Sequence, residues 1–166
     1  GIQLVTIHGR TRCQFYKGAA DWAAIADIKD AVGIPVVANG DIVDAATAAK
    51  ALDLSGADGV MIGRAAYHSP SAILLEADRL IYGTDHQTTA IDVAQDMLPY
   101  IERHLTSGGK LNQITRHMLG IFAGQPGARA WRRTLSEGAH RPSAGPELVQ
   151  TALAQVAATA HGDAAE

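Results

Sequence analysis

Three segments of this chain place polar, ligand-gripping side chains beside glycine: His8-Gly-Arg-Thr-Arg12, Asn39-Gly-Asp41 and Ile62-Gly-Arg64. An imidazole, a carboxamide and a guanidinium can together hold an anion, and a guanidinium pairs bidentately with phosphate oxygens. Gly40 and Gly63 would let backbone approach such a ligand, although a plain turn also accounts for a glycine at either position. His8 could likewise satisfy a buried backbone group instead of a ligand. Arg64 ends an apolar run, which is an unusual place for an ordinary surface charge. Asp41 reads as a cap on the following turn more than as a base. Arg10 and Arg12 could touch a ligand or form salt bridges. Cys13, directly after the His8–Arg12 stretch, is a tempting catalytic thiol.

The elements that must position these groups are short. Leu4-Val-Thr-Ile7, Ile34-Pro-Val-Val-Ala38 and Gly59-Val-Met-Ile62 are apolar without polar alternation, as in parallel strands buried on both faces. Residues 21–32 carry an apolar stripe at positions 22, 25, 28 and 32 and stop at Gly33. Asp44 caps a helix over 45–52, and residues 71–82 form another helix before Gly83. Alternating strands and helices predict a parallel sheet with right-handed crossovers. Strand ends bearing Gly and basic or amide groups have the layout of a barrel's active face, where phosphate often sits after strands seven and eight.

Beyond Gly83 the strands stop. Residues 90–106, 110–123, 127–138 and 146–160 read as helices, and 161–166 as a frayed end. The predicted class is therefore α/β: the last three βα units of a TIM (β/α)8 barrel over 1–84, then an all-α helical-bundle domain over 85–166. Three units cannot close an eight-stranded barrel, and residue 1 is not Met, so a fragment is the expectation. A small α/β domain completed by a partner's strand is the alternative.

Charge is unevenly spread. Residues 99–142 hold seven Lys or Arg against two Asp or Glu, whereas residues 1–98 hold seven against twelve. A basic segment in an acidic chain suits an anionic partner or a solvated helical face. Arg129, Arg132 and Arg133 share one helical face, Arg116 and His117 lie just upstream, and few acids are near. Trp131 reads as packing, and Met118, Leu119, Ile121 and Phe122 as core. One cysteine excludes an internal disulfide and fits the cytoplasm. No Cys/His spacing suggests a metal, and no apolar run approaches a membrane span.

The same strand ends resemble those of the flavin-dependent tRNA-dihydrouridine synthases, and the likeness covers nearly the whole chain. His8-Gly-Arg-Thr-Arg12, Val37-Ala-Asn-Gly-Asp41 and Val60-Met-Ile-Gly-Arg64 are similar to strands six to eight of that family's barrel, closest to its B-type members. Arg64-Ala-Ala-Tyr-His-Ser-Pro70, Tyr100-Ile-Glu-Arg103, Thr115-Arg-His-Met-Leu-Gly-Ile-Phe122, Pro126-Gly-Ala-Arg-Ala-Trp-Arg-Arg133 and Leu135-Ser-Glu137 resemble the A-type members. The chain departs from the A-type pattern in running directly from Thr11 to Gly18, without a longer basic loop.

The resemblance implies FMN bound by His8, Asn39, Gly40, Asp41, Gly63 and Arg64. It implies tRNA bound by Arg116, Arg129, Arg132 and Arg133. The reaction it implies is NADPH-driven reduction of uridine to 5,6-dihydrouridine: the flavin delivers hydride and a cysteine upstream of this segment supplies the proton, so the chain alone would be inactive. Two other classes stay open: a different FMN- or phosphate-binding barrel oxidoreductase, and a non-catalytic RNA-binding module derived from a synthase.

Overall fold

The computed structural model describes residues 1–162, with side chains described through residue 159. The chain divides into two compact units. One comprises Gly1–Ala66 and Ala72–His86; the other comprises Tyr67–Ser71 and the residues from Gln87 onward. The second unit thus takes five residues that lie inside the first in sequence.

The first unit is a three-stranded parallel sheet flanked by helices. Strands β1 (Val5–His8), β2 (Val36–Asn39) and β3 (Gly59–Met61) lie in the order β1-β2-β3. Their register pairs Val5 with Val36, His8 with Asn39, and Asn39 with Met61. All three carboxyl ends therefore fall at one edge. The crossovers are α1 (Trp22–Ala31) and α2 (Ala45–Ser55). Asp21 caps α1 by accepting from the Ala24 N–H. Asp44 and Thr47 form a reciprocal capping box on α2, which satisfies donors that an uncapped first turn leaves open. Ile25, Val36 and Ala38 are buried as one cluster, with Val5, Ile7 and Trp22 against it. Ile42, Ala48 and Ala51 form a second, with Trp22, Val60 and Ile62. Trp22 touches both.

At the opposite end of the sheet, Asp58 holds the strands' starts together. Its Oδ2 accepts from Lys29 Nζ on α1 and from the Val36 N–H of β2, each at 2.7 Å. The Lys29 hydrogen bond first, and the Val36 N–H next, hold the Asp58 carboxyl below the usual carboxylate range.

Two short helices follow the sheet, α3 (Arg64–His68) and α4 (Ser71–Leu80). The remaining helices are α5 (Ala90–Asp96), α6 (Leu98–Thr106), α7 (Leu111–Thr115), α8 (Ala128–Gly138) and α9 (Pro146–Gly162). The single helix expected over 90–106 is two helices, because Pro99 has no N–H for the Gln95 carbonyl. The helix expected over 110–123 ends at Thr115. From His117 to Ala128 the backbone bonds span three residues, including His117 N–H to Ile114 O, Ile121 N–H to Met118 O and Ala123 N–H to Gly120 O. Side chains take carbonyls that a helix would use: Trp131 Nε1–H donates to Met118 O at 3.0 Å, and Ser71 Oγ–H donates to Ile121 O. Gly120 sits against the carbonyls of Tyr67 and His68, where a Cβ would collide.

Trp131 is fully buried, edge-on to Phe122 at 4.9 Å, as expected of packing residues. Ile101, Leu111, Leu135, Val149 and Val156 are buried with them in the second unit. Of the four residues read as core at 118–122, Leu119 alone is only half-buried. Of the stretch expected to fray, residues 161 and 162 close α9, and 163–166 lie outside the described residues. Among the described residues no helix is long and apolar enough to cross a membrane.

Candidate functional site

The register of the sheet brings His8 and Asn39 side by side, and the chain leaving β3 adds Gly63 and Arg64. His8 Nδ1 accepts the Arg10 backbone N–H at 3.1 Å, so a neutral His8 carries its proton on Nε2. Asn39 Nδ2 donates to Met61 O at 2.6 Å, so the donor end of this carboxamide stitches β2 to β3. Its Oδ1 accepts no hydrogen bond among the described residues. Arg64 is exposed and has no ion pair among the described residues.

Asp41 does not cap the turn that follows it; Asp44 caps α2 instead. The Asp41 carboxylate reaches back to the chain after β1. It accepts from the Arg10 guanidinium at 2.5 and 2.6 Å and from the Ala20 N–H at 2.7 Å. The Arg10 hydrogen bond, then the Ala20 N–H, hold its carboxyl below the ordinary range. Arg10 also donates to Gly18 O through Nε and Nη2. Of the two arginines after His8, Arg10 is therefore the salt-bridging one. Arg12 is exposed, with no ion pair among the described residues.

The two glycines differ in what requires them. Gly40 has φ +118°, and a Cβ there would lie 2.9 Å from Ala20 Cβ and 3.2 Å from His8 Cε1. Its carbonyl accepts from Trp22 Nε1–H at 3.0 Å. Packing inside the protein accounts for Gly40. A Cβ on Gly63 would meet nothing within 4 Å.

The chain between β1 and α1 forms a loop with a short 3-10 turn at Arg12–Gln14. Cys13 is exposed on that turn. Phe15 and Tyr16 follow, with φ of +46° and +67°, and both rings are exposed. A cavity of about 360 Å³ is lined by His8, Arg10, Thr11, Arg12, Phe15 and Tyr16. Tyr16 also meets Arg64, whose guanidinium carbon is 5.4 Å from the ring centroid. The two aromatics were not expected as site residues. The sequence signal was an aromatic pair between a strand end and Gly18, a position where core packing does not call for one.

On the second unit, Arg129, Arg132 and Arg133 lie on the exposed face of α8, opposite the buried Ala128, Trp131, Leu135 and Gly138. None of the three side chains has a hydrogen bond or ion pair among the described residues. Arg116 is arranged differently. Its Nε–H donates to His117 Nε2 at 2.9 Å, and His117 Nδ1 lies 3.2 Å from Tyr67 Oη.

A three-stranded parallel sheet with glycine and basic residues at its carboxyl ends is consistent with a piece of a (β/α) barrel. The model of one family, dihydrouridine synthase (Dus), matches residues 1–157. The tRNA-dihydrouridine(20/20a) synthase of Xanthomonas campestris is 45% identical over 164 residues, 92% of this chain and 47% of that protein. The enzyme of the same name from Xanthomonas axonopodis is 47% identical over 165 residues. That from Vibrio cholerae is 50% identical over 106 residues, 63% of this chain and 32% of that protein. The chain belongs to the dihydrouridine synthase family. It spans about a third to a half of the length of these curated relatives.

Proposed function

We propose that the chain is the C-terminal portion of an FMN-dependent tRNA-dihydrouridine synthase that uses NADPH, acting in the cytoplasm at the positions for which its relatives are named, 20/20a. The observation that carries this reading is the His8–Asn39 register with Gly63 and Arg64 beside it, in a chain of this family.

The residues fit a flavin phosphate and its sugar-alcohol chain. The space over Gly63 is open to a ligand, His8 Nε2 and the Arg64 guanidinium supply donors, and Asn39 Oδ1 supplies an acceptor. FMN, when bound, supplies the hydride chemistry that a protein side chain lacks. The chain's own residues grip its phosphate and fix its orientation. Asp41 belongs to this site through Arg10 rather than by contact, since Arg10 and Ala20 occupy its carboxylate. No proton donor is assigned to this chain, because Cys13 lies exposed on the 3-10 turn and follows β1 rather than facing a built site. The Arg129, Arg132 and Arg133 face of α8 serves tRNA phosphates, with 1–84 as the flavin-binding part and 85–166 as the tRNA-binding part. Arg116 joins them with a guanidinium whose Nε–H is held by His117 Nε2.

The test is reduction of uridine in tRNA lacking the modification, read by mass spectrometry. The full-length protein carrying this chain, with FMN and NADPH, should add two hydrogens to a uridine at 20 or 20a. The 166-residue chain alone should add none. A full-length protein that binds flavin but leaves tRNA unchanged would point to another barrel oxidoreductase.

A further inference from the structure

The ring of Tyr16 lies between the two groups assigned to the phosphate. It meets the His8 imidazole edge-on, with centroids 5.9 Å apart and planes at 80°. The Arg64 guanidinium carbon lies 5.4 Å from the same ring's centroid. One exposed aromatic side chain thus touches two residues from different strand ends. A ring face attracts a guanidinium through its charge and leaves the N–H groups available to an anion.

Folding alone does not account for this residue. Tyr16 is 67% exposed, and its hydroxyl makes no hydrogen bond among the described residues. Phe15 and Tyr16 are consecutive non-glycine residues in the left-handed region, a conformation that persists only where the surroundings impose it. Here they do. Arg10 holds Gly18 O and the Asp41 carboxylate, Asp41 holds the Ala20 N–H, and Lys17 N–H returns to Gln14 O at 2.8 Å. The loop is pinned on both sides of an exposed ring.

We propose that Tyr16 is a positioning residue: its ring sets His8 and Arg64 so that both address one phosphate-class anion, and the Arg10–Asp41 pair pins the loop that presents it. The proposal rests on the flavin reading of this site and extends it to a residue that does not itself bind the phosphate.

The experiment compares FMN with riboflavin, which lacks only the phosphate, in the full-length protein and its Tyr16→Leu and Tyr16→Phe variants, with thermal melting as a folding control. Tyr16→Leu should weaken FMN binding about two- to tenfold and leave riboflavin binding unchanged. Tyr16→Phe should bind both as the wild type does. Equal loss for the two flavins would overturn the proposal, since Tyr16 would then act on the ring system or on the fold. An unchanged FMN affinity in Tyr16→Leu, or a loss in Tyr16→Phe as large as in Tyr16→Leu, would overturn it as well. A wild type that binds neither flavin defeats the flavin reading separately. The proposal is then decided with inorganic phosphate, followed at the Arg64 Nε–H resonance. A wild-type response weakened in Tyr16→Leu supports it, and any other result, including no wild-type response, overturns it.

Discussion

Arg10 and Asp41 are 31 residues apart in sequence and 2.5 Å apart in the fold. The Arg10 side chain is 8% exposed and that of Asp41 is 38% exposed, so the arginine depends on its partner more than the aspartate does. Asp41→Ala leaves a nearly buried guanidinium with only Gly18 O. The expected cost is about 1–2 kcal/mol, held down by the exposure of the carboxylate. Faster proteolysis confined to residues 10–20 would show that the loop is what loosens. An unchanged cleavage pattern would mean that the pair does not pin it.

Acid should act through the same carboxylates. Asp41, Asp44, Asp58 and Asp92 are all held below the ordinary carboxylate range, by Arg10, by the Thr47 N–H, by Lys29 and by the Thr89 hydroxyl respectively. A group whose folded pKa is depressed adds stability above its unfolded pKa, about 3.9 for Asp, and loses it as pH falls through the folded value. Their combined contribution should be constant above about pH 5 and decline below about pH 4. Melting temperature against pH checks this, and Asp58→Asn should make the acid slope shallower. A slope unaltered by that substitution would remove Asp58 from the account.

Gly40 and Gly63 should respond oppositely to alanine. Gly40→Ala places a Cβ against Ala20 and His8 in a positive-φ conformation and should cost about 1–3 kcal/mol of stability. Gly63→Ala meets open space and should leave melting within about 0.5 kcal/mol, while weakening FMN binding in the full-length protein. Equal effects on both measurements at both positions would contradict the distinction.

Arg64→Ala should lower FMN affinity in the full-length protein by about 1.5–3 kcal/mol, the size of a charge-assisted hydrogen bond. His8→Ala should lower it by less, since a neutral imidazole offers one donor. Flavin titration measures both. Full retention in both variants would put the phosphate elsewhere.

Replacing Arg129 and Arg132 together should weaken tRNA binding and leave FMN binding intact. The slope of log K against log salt should become shallower by about 0.7–0.9 for each tRNA phosphate that the variant no longer neutralises. A double variant that matches the wild type at several salt concentrations would make this side of α8 an ordinary solvated face.

The strands were legible because they are short and largely apolar, although burial is complete only at Val36 and Ala38 of β2, while Val5, Ile7 and Val60 are half-buried and Thr6 and Met61 are exposed. His8, Asn39 and Arg64 were legible because each follows such a run. What the run cannot show is where a polar side chain turns next. Asp41 has the same local setting whether it caps forward to the next turn or reaches back to Arg10, and only the pairing of β1 with β2 decides. Likewise the apolar spacing over 110–123 is helical in pattern. The helix ends at Thr115, and beyond it Met118 O and Ile121 O accept from Trp131 and Ser71, partners that the spacing does not show. Tyr16 has no periodicity to betray it; its one cue is the aromatic pair with Phe15 between a strand end and Gly18.

Asp58 and Asp41 sit at opposite ends of the same short strands. The Asp58 latch ties Lys29 and the Val36 N–H together far from His8, whereas Arg10 and Asp41 work beside it. The two ends therefore evolve under different constraints: a lineage can retune the latch end without disturbing the grip, whereas at the other end Gly40 and Asp41 hold the loop beside His8, so a change of ligand there draws on stability as well.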